Sequence, residues 1–112
     1  MNFIQHRDEI IIKKVISEIN IGLEMLGETE LEAFLKDEKL KRALGMTVIN
    51  IGELVKNVTE ETRKEHSNIP WKVIAGMRDI TAHKYQTLRM EDVYMTVKED
   101  FVSLKGMLKS II

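Results

Sequence analysis

The stretch Glu38 to Val58, EKLKRALGMTVINIGELVKNV, decides the fold. Its apolar residues Leu40, Leu44, Val48, Ile51, Val55 and Val58 recur at intervals of three and four, the spacing that keeps side chains on one face of a helix turning about 100° per residue. A strand would need alternation by two, and none is present. The spacing predicts one long amphipathic helix over 38–58, with Asp37 placed to cap it. Gly52 inside it costs about 1 kcal/mol relative to alanine, so a close helix contact is expected nearby.

Working outward, the same period appears on both sides. Toward the N-terminus, Ile12, Val15, Ile16, Ile19, Leu23 and Leu26 form a stripe that ends at Gly27, a residue suited to stopping a helix. Between the two stripes, Thr29 and Glu32 match a capping box that opens a short helix carrying Leu31, Phe34 and Leu35. Beyond residue 58, TEETRKEHSN lacks core-like periodicity and reads as a connection with at most a loose helical turn. Pro70 suits a first helical position and starts a third long helix with Trp71 beside it; the inward stripe is Val73, Ile74, Met77, Ile80 and Thr81. KYQTLRM is a linker. The segment from Glu91 to the end is the last helix, with Val93, Val97, Phe101, Leu104, Leu108 and Ile111 facing inward. The fold class is all-α, an up-and-down bundle of four main helices plus a short one.

A length of 112 residues suits one domain, residues 1–112, with a single core. With 44% hydrophobic and 31% charged residues the chain is neither disordered nor membrane-spanning. The opening MNFIQHRDEI places charges where a signal peptide needs apolar residues, which points to the cytoplasm. No cysteine is present, which excludes disulfides and thiolate chemistry, and His6, His66 and His83 lack metal-ligand spacing. Neither a metal nor a cofactor is expected, so any chemistry rests on oxygen, guanidinium and imidazole groups.

Charge is unevenly spread. From residue 63 to 89 six cations (Arg63, Lys64, Lys72, Arg78, Lys84, Arg89) accompany two anions (Glu65, Asp79), a surplus of four, so the rest carries −5 to reach the total of −1. Such a segment suits a phosphate-bearing ligand, and equally an ordinary solvated face. Within it lies GMRDITAHKY, Gly76 to Tyr85. Arg78 and His83 are about 140° apart on an ideal helix, whereas Arg78 and Tyr85 lie within about 20°. Either the helix ends or distorts before His83, or the arginine reaches around, or a second subunit completes the site. Asp79 and His83, four apart, share a face, so the carboxylate can orient or charge the imidazole. On spacing alone the same residues also read as an exposed arginine, a surface Asp79 and His83 pair and a packed tyrosine.

The pattern of arginine, four residues, histidine, one residue and tyrosine resembles the signature of the HepT toxins in the HEPN superfamily. IPWKVIAGMRD, FLKDEKLKRAL and INIGELVK resemble further blocks of that family in the same order, from about residue 5 to 105. The resemblance implies a metal-independent endoribonuclease, the toxin of a toxin-antitoxin pair, that is usually dimeric through the helices carrying the motif. It implies Arg78 and His83 as the catalytic pair and Tyr85 as the motif tyrosine, to which an MntA-like nucleotidyltransferase antitoxin transfers AMP. Position 79, often asparagine in related domains, is aspartate here. The alternative is a noncatalytic helical subunit that binds a nucleotidyltransferase or its nucleotide. Trp71 reads as a packing anchor before a base-stacking platform, Asn50 and Glu53 as a solvated or interhelical polar pair, and the seven methionines as core gap-fillers.

Overall fold

The computed structural model describes residues 4–84 and 89–112, and for residues 78–84 the helical backbone alone. The first helix, α1 (His6–Leu26), buries Ile12, Val15, Ile16 and Ile19 and stops at Gly27, whose φ of 49° favours glycine and whose N–H donates to the Leu23 carbonyl at 2.9 Å. A short α2 (Leu31–Lys36) buries Phe34 completely. The Asp37 carboxylate accepts the Leu40 N–H at 3.0 Å and caps α3 (Glu38–Val55), which buries Leu44, Val48, Ile51 and Val55. Gly45 and Gly52 are buried on the same helix, against which both α1 and α5 (Trp71–Lys84) pack.

The expected capping box does not form. Residue Glu30 takes the cap position of α2 without a side-chain bond, because Thr29 is used otherwise: its N–H donates to the Leu26 carbonyl at 3.0 Å and its own carbonyl accepts the Tyr94 hydroxyl at 2.8 Å. The connection after α3 is more ordered than its composition suggests. It holds α4 (Glu60–Glu65), whose cap Thr59 accepts the Thr62 N–H, and Asp8 on α1 binds both threonines. Its helical order is imposed from outside by that carboxylate.

The last long helix is continuous but not uniform: α6 (Met90–Met95) passes through a π-helical turn, Thr96–Asp100, into α7 (Phe101–Lys109). The spacing explains the turn. Val93, Val97 and Phe101 are separated by two steps of four, each overshooting a helical stripe by about 40°. A wider turn winds less per residue and leaves all three in the core, Val97 and Phe101 fully so. This helix runs antiparallel to α1, since Phe101 lies against Gly22 while Tyr94 reaches Thr29. A β-carbon at Gly22 would stand 2.8 Å from the Phe101 ring and 3.3 Å from the Thr47 methyl, so the ring packs directly on the α1 backbone there. One hydrophobic cluster joins α1, α2, α3, α5 and the last helix, as the all-α bundle reading expects.

One inward assignment fails and another holds in part. Val73 is 68% exposed, because Trp71 and Ile74 take the core-facing positions of α5. None of the described methionines is fully buried: Met46 and Met95 are exposed, and Met25, Met77, Met90 and Met107 fill gaps at the margin of the core.

Candidate active site

The motif helix is anchored at its start. Pro70 occupies the cap position, one residue before the expected one, and its carbonyl accepts the Ile74 N–H at 3.1 Å. Trp71 is 5% exposed, and its indole N–H donates to the His66 carbonyl at 3.0 Å. That contact makes it the packing anchor. His66 thus contributes backbone to the site's foundation, and His6 stands exposed beside Glu9.

From Trp71 the helix continues without interruption through Lys84, so it neither ends nor distorts before His83. Positions 78 and 83 therefore stay about 140° apart on one cylinder. Position 78 falls within about 20° of Trp71, whose face is turned inward, and position 83 within about 20° of Gly76. At Gly76 an added β-carbon would meet nothing within 4 Å among the described residues, so the helix is open at that point. Asp79 shares the backbone helix; Tyr85 lies outside the described residues, as does most of the KYQTLRM linker.

The basic segment is only partly available to a ligand. Arg63 is committed to structure: its guanidinium donates from Nη2 to the Val55 carbonyl at 2.8 Å and from Nε to the Val58 carbonyl at 3.1 Å, closing the C-terminal end of α3. Lys64 stands 4.0 Å from Glu60 on the surface, while Lys72 and Arg89 are exposed.

Two hollows flank the helices. One, of about 260 Å³, lies between α5 and the last helix, lined by Pro70, Val73, Ile74, Met77, Leu104 and Met107, with Asp100 and Ser103 as its polar members. The other lies between α1 and α3, where Lys14, Ser17, Glu18, Asn50, Glu53 and Leu54 meet. There the Asn50 amide donates to Glu18 at 3.0 Å and Glu53 lies 3.5 Å from Lys56, so Asn50 is interhelical but its partner is Glu18. The apolar hollow escapes sequence reading, since it joins residues some thirty positions apart; an exposed Val73 in an inward stripe is its one local trace.

Of the two tyrosines in the chain, Tyr94 is 3% exposed, and its hydroxyl donates to Thr29 and accepts from Lys98 Nζ at 3.3 Å. Among the described residues no cluster of three or more histidine or acidic side chains is arranged for a metal ion, and no helix is long and apolar enough to cross a membrane.

An all-α bundle with an Arg-x4-His sequence on one unbroken helix defines a class, and comparison with known proteins identifies it: the chain belongs to the family described as Ribonuclease HepT-like, whose model matches residues 11–111. Among its relatives, the protein named "Probable ribonuclease HepT" of Thermococcus cleftensis is 35% identical over 101 residues, covering 90% of each chain. The protein named "Putative RNase TTE0752" of Caldanaerobacter subterraneus subsp. tengcongensis is 34% identical over 101 residues, again 90% of each chain. No solved structure matches.

Proposed function

We propose that this chain is a metal-independent endoribonuclease, the toxin of a toxin-antitoxin pair, acting in the cytoplasm as a homodimer of single-domain subunits. Arg78 and His83 are its catalytic pair and Asp79 supports the imidazole. The observation that carries the reading is the family match over residues 11–111, which includes the whole motif helix. Relatives named as ribonucleases over 90% of the chain support the same activity.

RNA brings its own nucleophile. Histidine, with an ordinary pKa of about 6.5, takes the proton of the 2′-hydroxyl as that oxygen bonds to phosphorus. The bond from phosphorus to the 5′-oxygen breaks, and a second imidazole returns a proton to the leaving oxygen. Arg78 offers a fork of N–H donors to the phosphorane oxygens. The products are a 2′,3′-cyclic phosphate and a 5′-hydroxyl. Positions 78 and 83 face different sides of one helix, which supports a site pooled from two copies of α5, and the space beside Gly76 gives a second copy room to approach.

Neutralisation follows from AMP transfer to Tyr85 by an MntA-like nucleotidyltransferase. The burial and double hydrogen bonding of Tyr94 support Tyr85 as the acceptor. An AMP phosphate two residues from His83 competes with RNA for the Arg78 guanidinium.

The test is cleavage of RNA in the presence of a chelator by the wild type, Arg78→Lys and His83→Ala, with intact mass measured after incubation with nucleotidyltransferase and ATP. Expected are cleavage by the wild type, loss in both variants with unchanged helical circular dichroism, and an AMP adduct absent from Tyr85→Phe. Lysine keeps the charge and loses the fork, which makes Arg78→Lys the sharper variant. Full cleavage by both variants removes the site assignment; adduct formation without any cleavage favours the noncatalytic subunit.

A further inference from the structure

We infer that Arg42 on α3 binds an RNA phosphate next to the cleaved one, on the same outer face as position 83; this rests on the ribonuclease reading. The packing defines that face. Helix α1 meets α3 at Thr47, which lies by Gly22, and at Asn50, which donates to Glu18. Gly45 and Gly52, buried about 180° round from these contacts, mark the side where α5 packs, with Leu44, Val48 and Val55 turned to the core in between. Arg42 lies about 70° beyond the glycines, on the side away from the core, and its side chain is 69% exposed. On α5, Trp71 and Ile74 face the core, the last helix meets Val73 and Met77 on one flank, and α3 therefore takes the other, toward Ala75. Position 83 lies about 80° beyond Ala75, again away from the core.

The two positions also come level. Arg63 holds the chain after α3 against Val55, and hydrogen bonds running from His66 through Ile69 to Trp71 set the head of α5 beside that end, so the two helices run antiparallel. Thr47 and Phe101 both stand at Gly22. The hollow between α5 and the last helix is centred on residues 73–74 of one wall and 103–104 of the other, which puts position 76 level with Phe101. Position 83 is seven residues past 76, and seven residues back from Thr47 is Leu40, so Arg42 stands within about 3 Å of that level at a rise of 1.5 Å per residue. With packed helix axes about 8–10 Å apart, the long arginine side chain reaches a phosphate beside position 83, and its fork of donors fits two phosphate oxygens. Position 78 falls on the side of Trp71, so the guanidinium on position 83's side is supplied by α3. Glu38 lies 3.7 Å from Arg42 Nε, but both side chains are largely exposed, and such a pair is weak enough for a phosphate to displace.

Binding is read with a short single-stranded RNA carrying 2′-O-methyl riboses throughout, which cannot supply the nucleophile. Arg42→Gln should bind it about three- to tenfold more weakly and lower the slope of log affinity against log salt by about 0.7, the value of one phosphate contact on a single strand. Arg42→Lys should keep most of the slope, since the charge remains. Lys109→Gln, at an exposed position about 20 Å away along the bundle, should change neither. With unmodified RNA, Arg42→Gln should raise KM and keep kcat. An unchanged slope in Arg42→Gln, an equal loss in Lys109→Gln, or a fall in kcat at constant KM overturns the proposal. So does a shift from dimer to monomer in Arg42→Gln by sedimentation, which would assign the residue to assembly. Failure of the ribonuclease reading shows separately, as unmodified RNA left intact by the wild type.

Discussion

At the scale of single residues, Asp8 carries the clearest energetic statement. It is fully buried at the start of α1, and its carboxylate accepts from the Thr59 hydroxyl at 2.6 Å, the Thr62 hydroxyl at 2.6 Å and the Thr59 N–H at 3.1 Å. Burial pushes its pKa up, but the hydrogen bonds, with a small contribution from Arg7, outweigh this and leave the carboxyl below its ordinary 3.8. A depressed folded value means that the unfolded chain binds the proton first as pH falls. Stability from this group is therefore complete above about pH 5 and drains away through the ordinary value and below it. Thermal melts from pH 6 to pH 3 should fall more steeply for the wild type than for Asp8→Asn, and parallel curves would remove the assignment. Asp8→Ala should cost about 2–4 kcal/mol at neutral pH in chemical denaturation, since one buried and two partly buried donors lose their acceptor. Arg63 teaches a related lesson. Counted by charge it looks available to phosphate, whereas its guanidinium closes the end of α3.

At the scale of elements, two glycines in helices should respond oppositely to the same substitution. Gly106→Ala, where a β-carbon meets nothing within 4 Å, should stabilise α7 by about 0.5–1 kcal/mol through backbone entropy alone. Gly22→Ala must push the buried Phe101 ring or part α1 from the last helix, at about 1–3 kcal/mol, which matches or exceeds the helix-propensity gain. Melting temperatures of the two variants decide this; a rise in both would mean that the helices relax freely. The long stripes were legible because burial on one face imposes a period that residues 12–26 and 40–58 display openly. Residues 60–65 were not, since α4 has no apolar stripe and depends on an acceptor more than fifty residues away. Val73 misled because a valine at helical spacing reads as core whether or not anything covers it. The motif itself was legible as residue types, and the register of positions 78 and 83 follows from an unbroken helix; pockets built across two elements leave no comparable trace.

At the scale of the whole molecule, the open face of α5 separates folding from assembly. A β-carbon at Gly76 meets nothing within 4 Å among the described residues, and a long side chain there would stand where the proposed second copy comes close. Gly76→Arg should therefore keep its helical signal and melting temperature while sedimenting as a monomer and losing RNA cleavage. A dimer that persists with full activity would move the assembly surface elsewhere. The arrangement at the head of α5 has a further use. Trp71 is the single tryptophan of the chain, enclosed beside the wall formed by Pro70 and Ile74, with its indole N–H held by the His66 carbonyl. Its ultraviolet emission is thus an optical gauge supplied by the protein, blue while the head of the motif helix stays seated and red once water reaches the ring, so the seating of this helix can be followed in real time without attaching any dye.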